Sequence, residues 1–171
     1  KIVPNQFTDI FNKYELPEGV VYTTCVYNDE LYIGTKNNGL IVISGGDVQS
    51  YVPVSKVVTS GGTETGSKNL LKLLEDCKIR SIIEDSQGRL WMSTFSDYGL
   101  LVYDGSTLTS IAEADGLPSD RVRTVHECSD GTMIVCCTGG LAVLDEEYNV
   151  TKVYDDKDGF TNTEVLTADQ M

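Results

Sequence analysis

An all-β chain built of β-propeller blades is the fold class that this sequence predicts, on three observations. A unit of sequence recurs along the chain, and a period of roughly 40 residues marks a propeller or a solenoid. Each copy has the same order of parts: an apolar strand, a tight polar turn, a second apolar strand ending near Thr, a small loop, then Gly-Leu opening a third strand. The second and third strands, such as Leu90 to Thr94 and Leu100 to Tyr103, are nearly all apolar instead of alternating, so both of their faces should be covered. Blades stacked face to face cover both. A two-layer sandwich would show polar outer faces, and an α/β fold would need long amphipathic helices, which this chain lacks.

The copies occupy residues 21–44, 79–104 and 122–145, with Gly88 matching Gly131 and Thr94 matching Thr138. The turns Ser86-Gln87-Gly88 and Ser129-Asp130-Gly131 put glycine where a hairpin loop needs positive φ. A weaker fourth strand follows each copy, as Val48 to Val52, Leu108 to Ala112 and Val150 to Tyr154, completing four-stranded antiparallel blades. Linkers repeat as well: Leu16-Pro17, Asp115-Gly116-Leu117-Pro118 and Asp158-Gly159-Phe160 each precede a first strand. Thr35 and Thr94 lie further apart than Thr94 and Thr138, so extra residues sit in the Ser-, Gly- and Thr-rich segment around Thr59 to Lys68. That segment reads as a loop, followed by a short helix over Ser67 to Cys77 marked by Leu70, Leu71, Leu73 and Leu74.

Phe7 to Tyr14 resembles an outer strand with no blade before it, and Val165 to Met171 starts a first strand and stops. The resulting division is 1–15, outer strand of a preceding blade; 16–53, blade; 54–73, insertion; 74–114, blade; 115–158, blade; 159–171, start of the next. About three blades form an incomplete propeller, whereas closed rings take roughly 4 to 8. The remaining blades, or a second copy of the chain, are expected to complete the ring.

Composition narrows the partners. With 26 Asp and Glu against 13 Lys and Arg, the formal charge is −13, which repels nucleic acid phosphates and anionic lipid headgroups. No apolar run approaches the ~20 residues that span a bilayer, and Lys1 to Phe11 lacks the apolar core of a signal peptide. Neither nucleic acid binding nor direct membrane insertion is expected. Cys25, Cys128, Cys136 and Cys137 lie in apolar segments and read as packing residues. Cys77 is isolated, and the one histidine, His126, has no partner histidine, so no zinc spacing exists and no metal or cofactor is expected.

The run Glu84-Asp85-Ser86-Gln87-Gly88-Arg89-Leu90-Trp91-Met92-Ser93-Thr94, followed by Gly99-Leu100 and Tyr103-Asp104, resembles the two-component regulator propeller repeat. This blade carries every element of the family pattern; the other copies depart from it, with Tyr32 and Ile134 at the tryptophan position and Cys137 before Thr138. The resemblance covers about residues 14 to 165. It implies the extracytoplasmic sensor of a membrane-anchored bacterial signalling protein, usually a histidine kinase and sometimes a diguanylate cyclase. It also implies recognition of a small extracellular ligand, often an oligosaccharide, with no catalysis in this segment. The spacing of Gly88 and Trp91 is also similar to the Asp box of sialidase propellers, yet Glu84 and Ser86 stand at the serine and aspartate positions.

Tyr22, Arg80 and Arg123 share the second place of the first strand in successive blades and should converge near the central channel. An arginine fork fits a carboxylate or paired sugar hydroxyls, which suits a sugar acid or an oligosaccharide. The plainer alternative is that each arginine pairs with an acid such as Asp76 or Asp120. A second candidate group is the loop Phe95-Ser96-Asp97-Tyr98 with Asn37 and Asn38 as its counterpart, where aromatic planes and short amides could meet a sugar; turns also favour Asn, Asp and Ser for backbone reasons alone. Trp91, in an apolar strand, reads as packing between blades, and His126 as structural. Asp155 to Gly159 fails as a calcium loop, since Tyr154 and Val165 fall where oxygen ligands are needed. Two other functions compete: a protein–protein interaction propeller, which would expose a broad apolar patch, and a glycan-active enzyme, which would need paired carboxylates.

Overall fold

The computed structural model describes residues 10–160 and 164–168 of the chain. In chain order its elements are α1 (Ile10–Lys13), β1 (Val21–Tyr27), β2 (Glu30–Thr35), β3 (Leu40–Ser44), β4 (Asp47–Val48), β5 (Pro53–Thr59), β6 (Gly62–Asn69), α2 (Leu70–Leu73), β7 (Lys78–Glu84), β8 (Leu90–Phe95), β9 (Leu100–Tyr103), β10 (Thr107–Ile111), β11 (Val122–Glu127), β12 (Met133–Cys137), β13 (Gly140–Leu144) and β14 (Val150–Tyr154). They form three sheets in which β1–β4, β7–β10 and β11–β14 each run as an antiparallel meander. This is the all-β, four-stranded blade architecture.

The blades stack through their faces. One apolar cluster joins the first two blades, with Tyr32, Leu40 and Val42 meeting Leu90, Met92 and Leu101. A second joins the next pair, with Trp91, Leu100 and Val102 meeting Val125, Met133 and Val135. Successive residues of β8 and β9 therefore point into opposite clusters, and that is why these strands are apolar without alternation. Trp91 is fully buried, as expected of a packing residue.

The Gly-Leu that opens each third strand has a steric cause. Gly99 has φ of 63°, and a Cβ there would stand 2.5 Å from the carbonyl oxygen of Ile111; Gly39 and Gly140 lie as tightly under the carbonyls of Leu74 and Tyr154. Only glycine lets the chain that leaves each blade, or its insertion, cross so close.

A buried polar network locks the second blade to the third. The Asp85 carboxylate accepts from Trp91 Nε1 and Arg89 Nε, both at 2.6 Å, and from the backbone N–H groups of Gln87 and Arg89. Arg89 Nη1 in turn donates to the Tyr148 hydroxyl at 3.0 Å, and the Tyr148 ring packs edge-on against Trp91. Burial by itself would raise the pKa of Asp85, but the Trp91 and Arg89 hydrogen bonds and the guanidinium charge outweigh it and hold the carboxyl below its ordinary value.

Several elements differ from expectation. The segment read as a loop is the hairpin β5–β6, and β5 pairs in parallel with β10, extending the second sheet to six strands in the order β6-β5-β10-β9-β8-β7. Its Gly and Thr residues have turn character, but their backbone groups find an open edge to pair with. The helix expected over Ser67 to Cys77 shrinks to α2, because Ser67 and Lys68 belong to β6 and Asn69 caps the turn by accepting from Leu71 N. The fourth strand of the first blade is only β4, not Val48 to Val52, since Val52 turns inward to the core and bonds Asn69.

At the N-terminal end residues 10–13 are helical, so the expected outer strand is absent there; Tyr14 and Leu16 instead cover Ile33, Ile41 and Ile43 on the far face of the first blade. Residues 1–9 and 169–171 lie outside the described residues. At the other end Glu164 makes an isolated bridge to Thr138, and its side chain accepts from Arg123. Register also corrects the alignment of the third copy: Cys137, not Thr138, pairs with Val122 as Thr94 pairs with Ile79.

Two outcomes follow from these contacts. Asp85→Asn removes one partner of a buried ion pair and should cost about 3–5 kcal/mol of stability, read as a lower urea midpoint with red-shifted Trp91 emission. Because the folded pKa is depressed, this contribution is present above the ordinary aspartate value of ~3.9 and is lost as pH falls through the folded value; the gap between wild type and variant should therefore narrow at low pH. Gly99→Ala should cost about 1–3 kcal/mol, the usual scale of left-handed backbone strain, by the same measurement.

Candidate functional site

The innermost strand of each blade contains a β-bulge at one repeated place. Register shifts by one residue between Val21 and Thr23, between Ile79 and Ser81, and between Val122 and Thr124. The extra residues are Tyr22, Arg80 and Arg123. A bulge re-aims the side chain it carries, so the three candidates share one local geometry in three blades.

Their side chains meet around Phe95, the last residue of β8. The Arg80 guanidinium lies 4.1 Å from the centre of the Tyr22 ring and 5.4 Å from that of Phe95, while Arg123 lies 5.3 Å from Phe95. Lys78 Nζ is a third cation against the same ring, at 5.5 Å. These are cation–π distances.

Hydrogen bonding in the stack is incomplete. Arg123 Nη2 donates to Glu164 Oε1 at 2.7 Å, with the arginine side chain 14% exposed and the glutamate 54%. Neither Asp76 nor Asp120 is its ion-pair partner, and the described ion pairs include none to Arg80. The Nε atoms of both Arg80 and Arg123 are buried without an acceptor. Leaving such a donor unmade costs about 1–3 kcal/mol.

A cleft of about 380 Å³ adjoins the stack, lined by Phe95, Ser96, Asp97, Glu113, Asp120 and Arg121, among others. Phe95 bridges Arg121 across the blade junction and so forms part of both. Asp97 is exposed at the rim. The remaining loop candidates lie elsewhere in their bonding: Asn38 spends its amide on the Pro17 and Glu18 carbonyls, Tyr98 packs against the first core cluster, and Asn37 is exposed.

Glu164 and Arg121 were not singled out from the sequence, although repeat spacing was a signal. Each is the residue through which the incoming segment bridges the preceding blade, Arg121 to Phe95 and Glu164 to Thr138. Other candidate chemistry resolves into structure. Burial pushes the Cys136 thiol up to about 11 and Cys137 to about 12, so neither supplies thiolate at neutral pH. In the acidic run, Asp155 N donates to Asp158 and Lys157 N to Asp155, closing a short helical turn. Among the described residues no cluster of three metal-ligating side chains occurs, and no helix is long and apolar enough to cross a membrane.

Comparison with known proteins agrees with this architecture. The family model of the two component regulator propeller matches residues 73–96. No curated protein matches the chain. Among solved structures, the extracellular domain of a protein from B. thetaiotaomicron, described as a hybrid two component system, is 17% identical over 90% of this chain and 21% of its own, with a TM-score of 0.61. A further structure, described as the extracellular domain of a one component system from the same organism, is 16% identical over 90% and 22%, with a TM-score of 0.60. The extracellular domain of another hybrid two component system of that organism is 19% identical over 85% and 24%, at a TM-score of 0.49. The chain thus spans about a quarter or less of the length of these structures. In the central blade of this all-β chain, residues 73–96 are thus similar to the two component regulator propeller repeat.

Proposed function

We propose that this chain is the ligand-sensing propeller part of a bacterial two-component or related transmembrane signalling protein. It acts outside the cytoplasmic membrane, binds a small ligand such as an oligosaccharide or a sugar acid, and relays occupancy through the arrangement of its blades. The family repeat and the extracellular domains that share the fold support the setting. The observation that carries the binding role is the pair of buried, acceptor-free Nε–H groups on Arg80 and Arg123, held against Tyr22 and Phe95. Buried donors are almost always paired, and an arginine fork beside an aromatic plane offers a sugar both hydrogen bonds and a stacking surface.

Binding without chemistry is the reading for this segment. Of the carboxylates lining the cleft, Asp97 and Glu113 are exposed, and Asp120 accepts from Glu113 N at 2.6 Å. A general acid at neutral pH calls for a desolvated carboxyl.

Titration calorimetry with a panel of neutral and uronic acid oligosaccharides tests the proposal. At least one should bind, and Arg80→Ala and Phe95→Ala should each weaken that binding about tenfold, or ~1.4 kcal/mol. A folded chain that binds none of them, or that binds equally well without Arg80, would refute it.

A further inference from the structure

A second concave site lies at the opposite end of β1 from Tyr22, where the first blade meets the second. A cavity of about 200 Å³ opens there, lined by Tyr27, Tyr32, Tyr51, Tyr103 and Glu30, among others. Tyr27 ends β1, Tyr32 lies within β2, Tyr103 ends β9, and Tyr51 stands in the segment that joins β4 to β5. Two neighbouring blades and their connection thus bring four aromatic rings to one place. The rings of Tyr27 and Tyr32 stand nearly perpendicular, at 81° with centroids 5.7 Å apart, and form a corner. Tyr27, Tyr32 and Tyr103 are buried, whereas Tyr51 is 49% exposed and forms the outer wall.

Hydrogen bonding fixes these rings and decides what they offer. The Tyr27 hydroxyl donates to Gly88 O at 3.1 Å, that of Tyr32 to Glu30 Oε2 at 3.2 Å, and that of Tyr103 to Pro53 O at 2.7 Å and Gly105 O at 2.9 Å. The Tyr51 hydroxyl shares a hydrogen bond with Ser67 Oγ at 2.8 Å. Gln49, also on the cavity wall, spends its amide N–H groups on the carbonyls of Ser44 and Asp47, and the Asn28 side chain is engaged with the Tyr27 hydroxyl. With these protons committed to the protein, the wall presents lone pairs and aromatic surface and few donors. None of the lining residues is basic.

A surplus of negative charge surrounds the cavity. Burial above all raises the pKa of the buried tyrosine hydroxyls, and carboxylates add to it: Glu30 beside Tyr32, Asp104 and Glu30 beside Tyr103, and Glu84, Asp104 and Asp85 beside Tyr27. Asp85 is neutralised by Arg89, but the described ion pairs include none to Glu30, Glu84 or Asp104.

From this geometry we infer that the cavity is a binding site for a small organic cation, a methylated ammonium group enclosed by the four tyrosines and balanced by Glu30. The face of a tyrosine ring attracts a cation through its quadrupole, and rings grouped around a cavity suit a quaternary ammonium ligand. The negative surroundings and the scarcity of donors disfavour an anion. Volume disfavours a saccharide chain, since drug-sized ligands occupy roughly 300–1,000 Å³. The site shares no residue with the arginine stack and does not depend on what that stack binds.

The test titrates choline into the full 171-residue chain by NMR, with the tyrosine ring protons as reporters and dimethylbutanol, its uncharged isostere, as the control. Choline should bind, and the alcohol should bind at least about tenfold more weakly. Tyr51→Leu, which keeps apolar bulk at an exposed position, should weaken choline binding about fivefold, and Glu30→Gln by about the same factor, while Tyr51→Phe should keep it within about twofold. Wild type that binds no choline, or binds the alcohol equally well, overturns the cation site, and that comparison needs no variant. Choline affinity unchanged in folded Tyr51→Leu and Glu30→Gln overturns its placement in this cavity.

Discussion

One buried carboxylate, Asp85, is the contact on which the relation between the second and third blades depends. Its side chain is fully enclosed and accepts from Trp91, Arg89 and two backbone N–H groups. A charge in that position is tolerable only while every bond is made. The turn that supplies Asp85 and Arg89 also sets Trp91 into the core facing the third blade, and Arg89 reaches across to Tyr148. A sheet of otherwise non-directional apolar contacts thus acquires one fixed angle and register. Ser86 adds a second crossing, donating from its N–H and hydroxyl to Glu127.

That fixed junction is what gives the inner strands their value. With the blades held in register, the bulges of β1, β7 and β11 deliver Tyr22, Arg80 and Arg123 to one region, and Phe95 becomes the shared wall against which both guanidinium groups lie. Polar satisfaction differs between the two ends of the repeat: the Asp85 turn is saturated with hydrogen bonds, whereas the bulge region carries donors without acceptors. The open donors of the bulge region are the feature on which the proposed ligand binding rests.

Much of this was legible in the residues. Unbroken apolar strands require cover on both faces, and in a chain without long helices stacked sheets supply it; the Gly-Leu step reflects a backbone crossing so close that a Cβ would force the chain to shift. The shared second position of the first strands was readable from alignment of the copies, but the bulge was not, because an extra residue opposite a partner strand leaves no compositional mark. The β5–β6 hairpin was hidden for a similar reason, since its Gly- and Thr-rich strands pair through backbone at an exposed edge and bury little. Nothing in the composition of its turn marks Asp85 as buried, and the pairing of Glu164 with Arg123 is a long-range contact spanning 41 residues of sequence.

The central claim, that the repeated bulges place two arginines in a buried aromatic stack with open donors, is tested most directly by the side-chain Nε–Hε signals of the protein in solution. Arg80, Arg89, Arg121 and Arg123 are the arginines of the chain, so each signal can be assigned by single substitution to lysine. The account predicts that the Hε protons of Arg80 and Arg123 exchange with water slowly, as does that of Arg89 in its ion pair, while that of exposed Arg121 exchanges at the solvent rate. Exchange at Arg80 and Arg123 as fast as at Arg121 would contradict it, since guanidinium groups free in water could not form the stack.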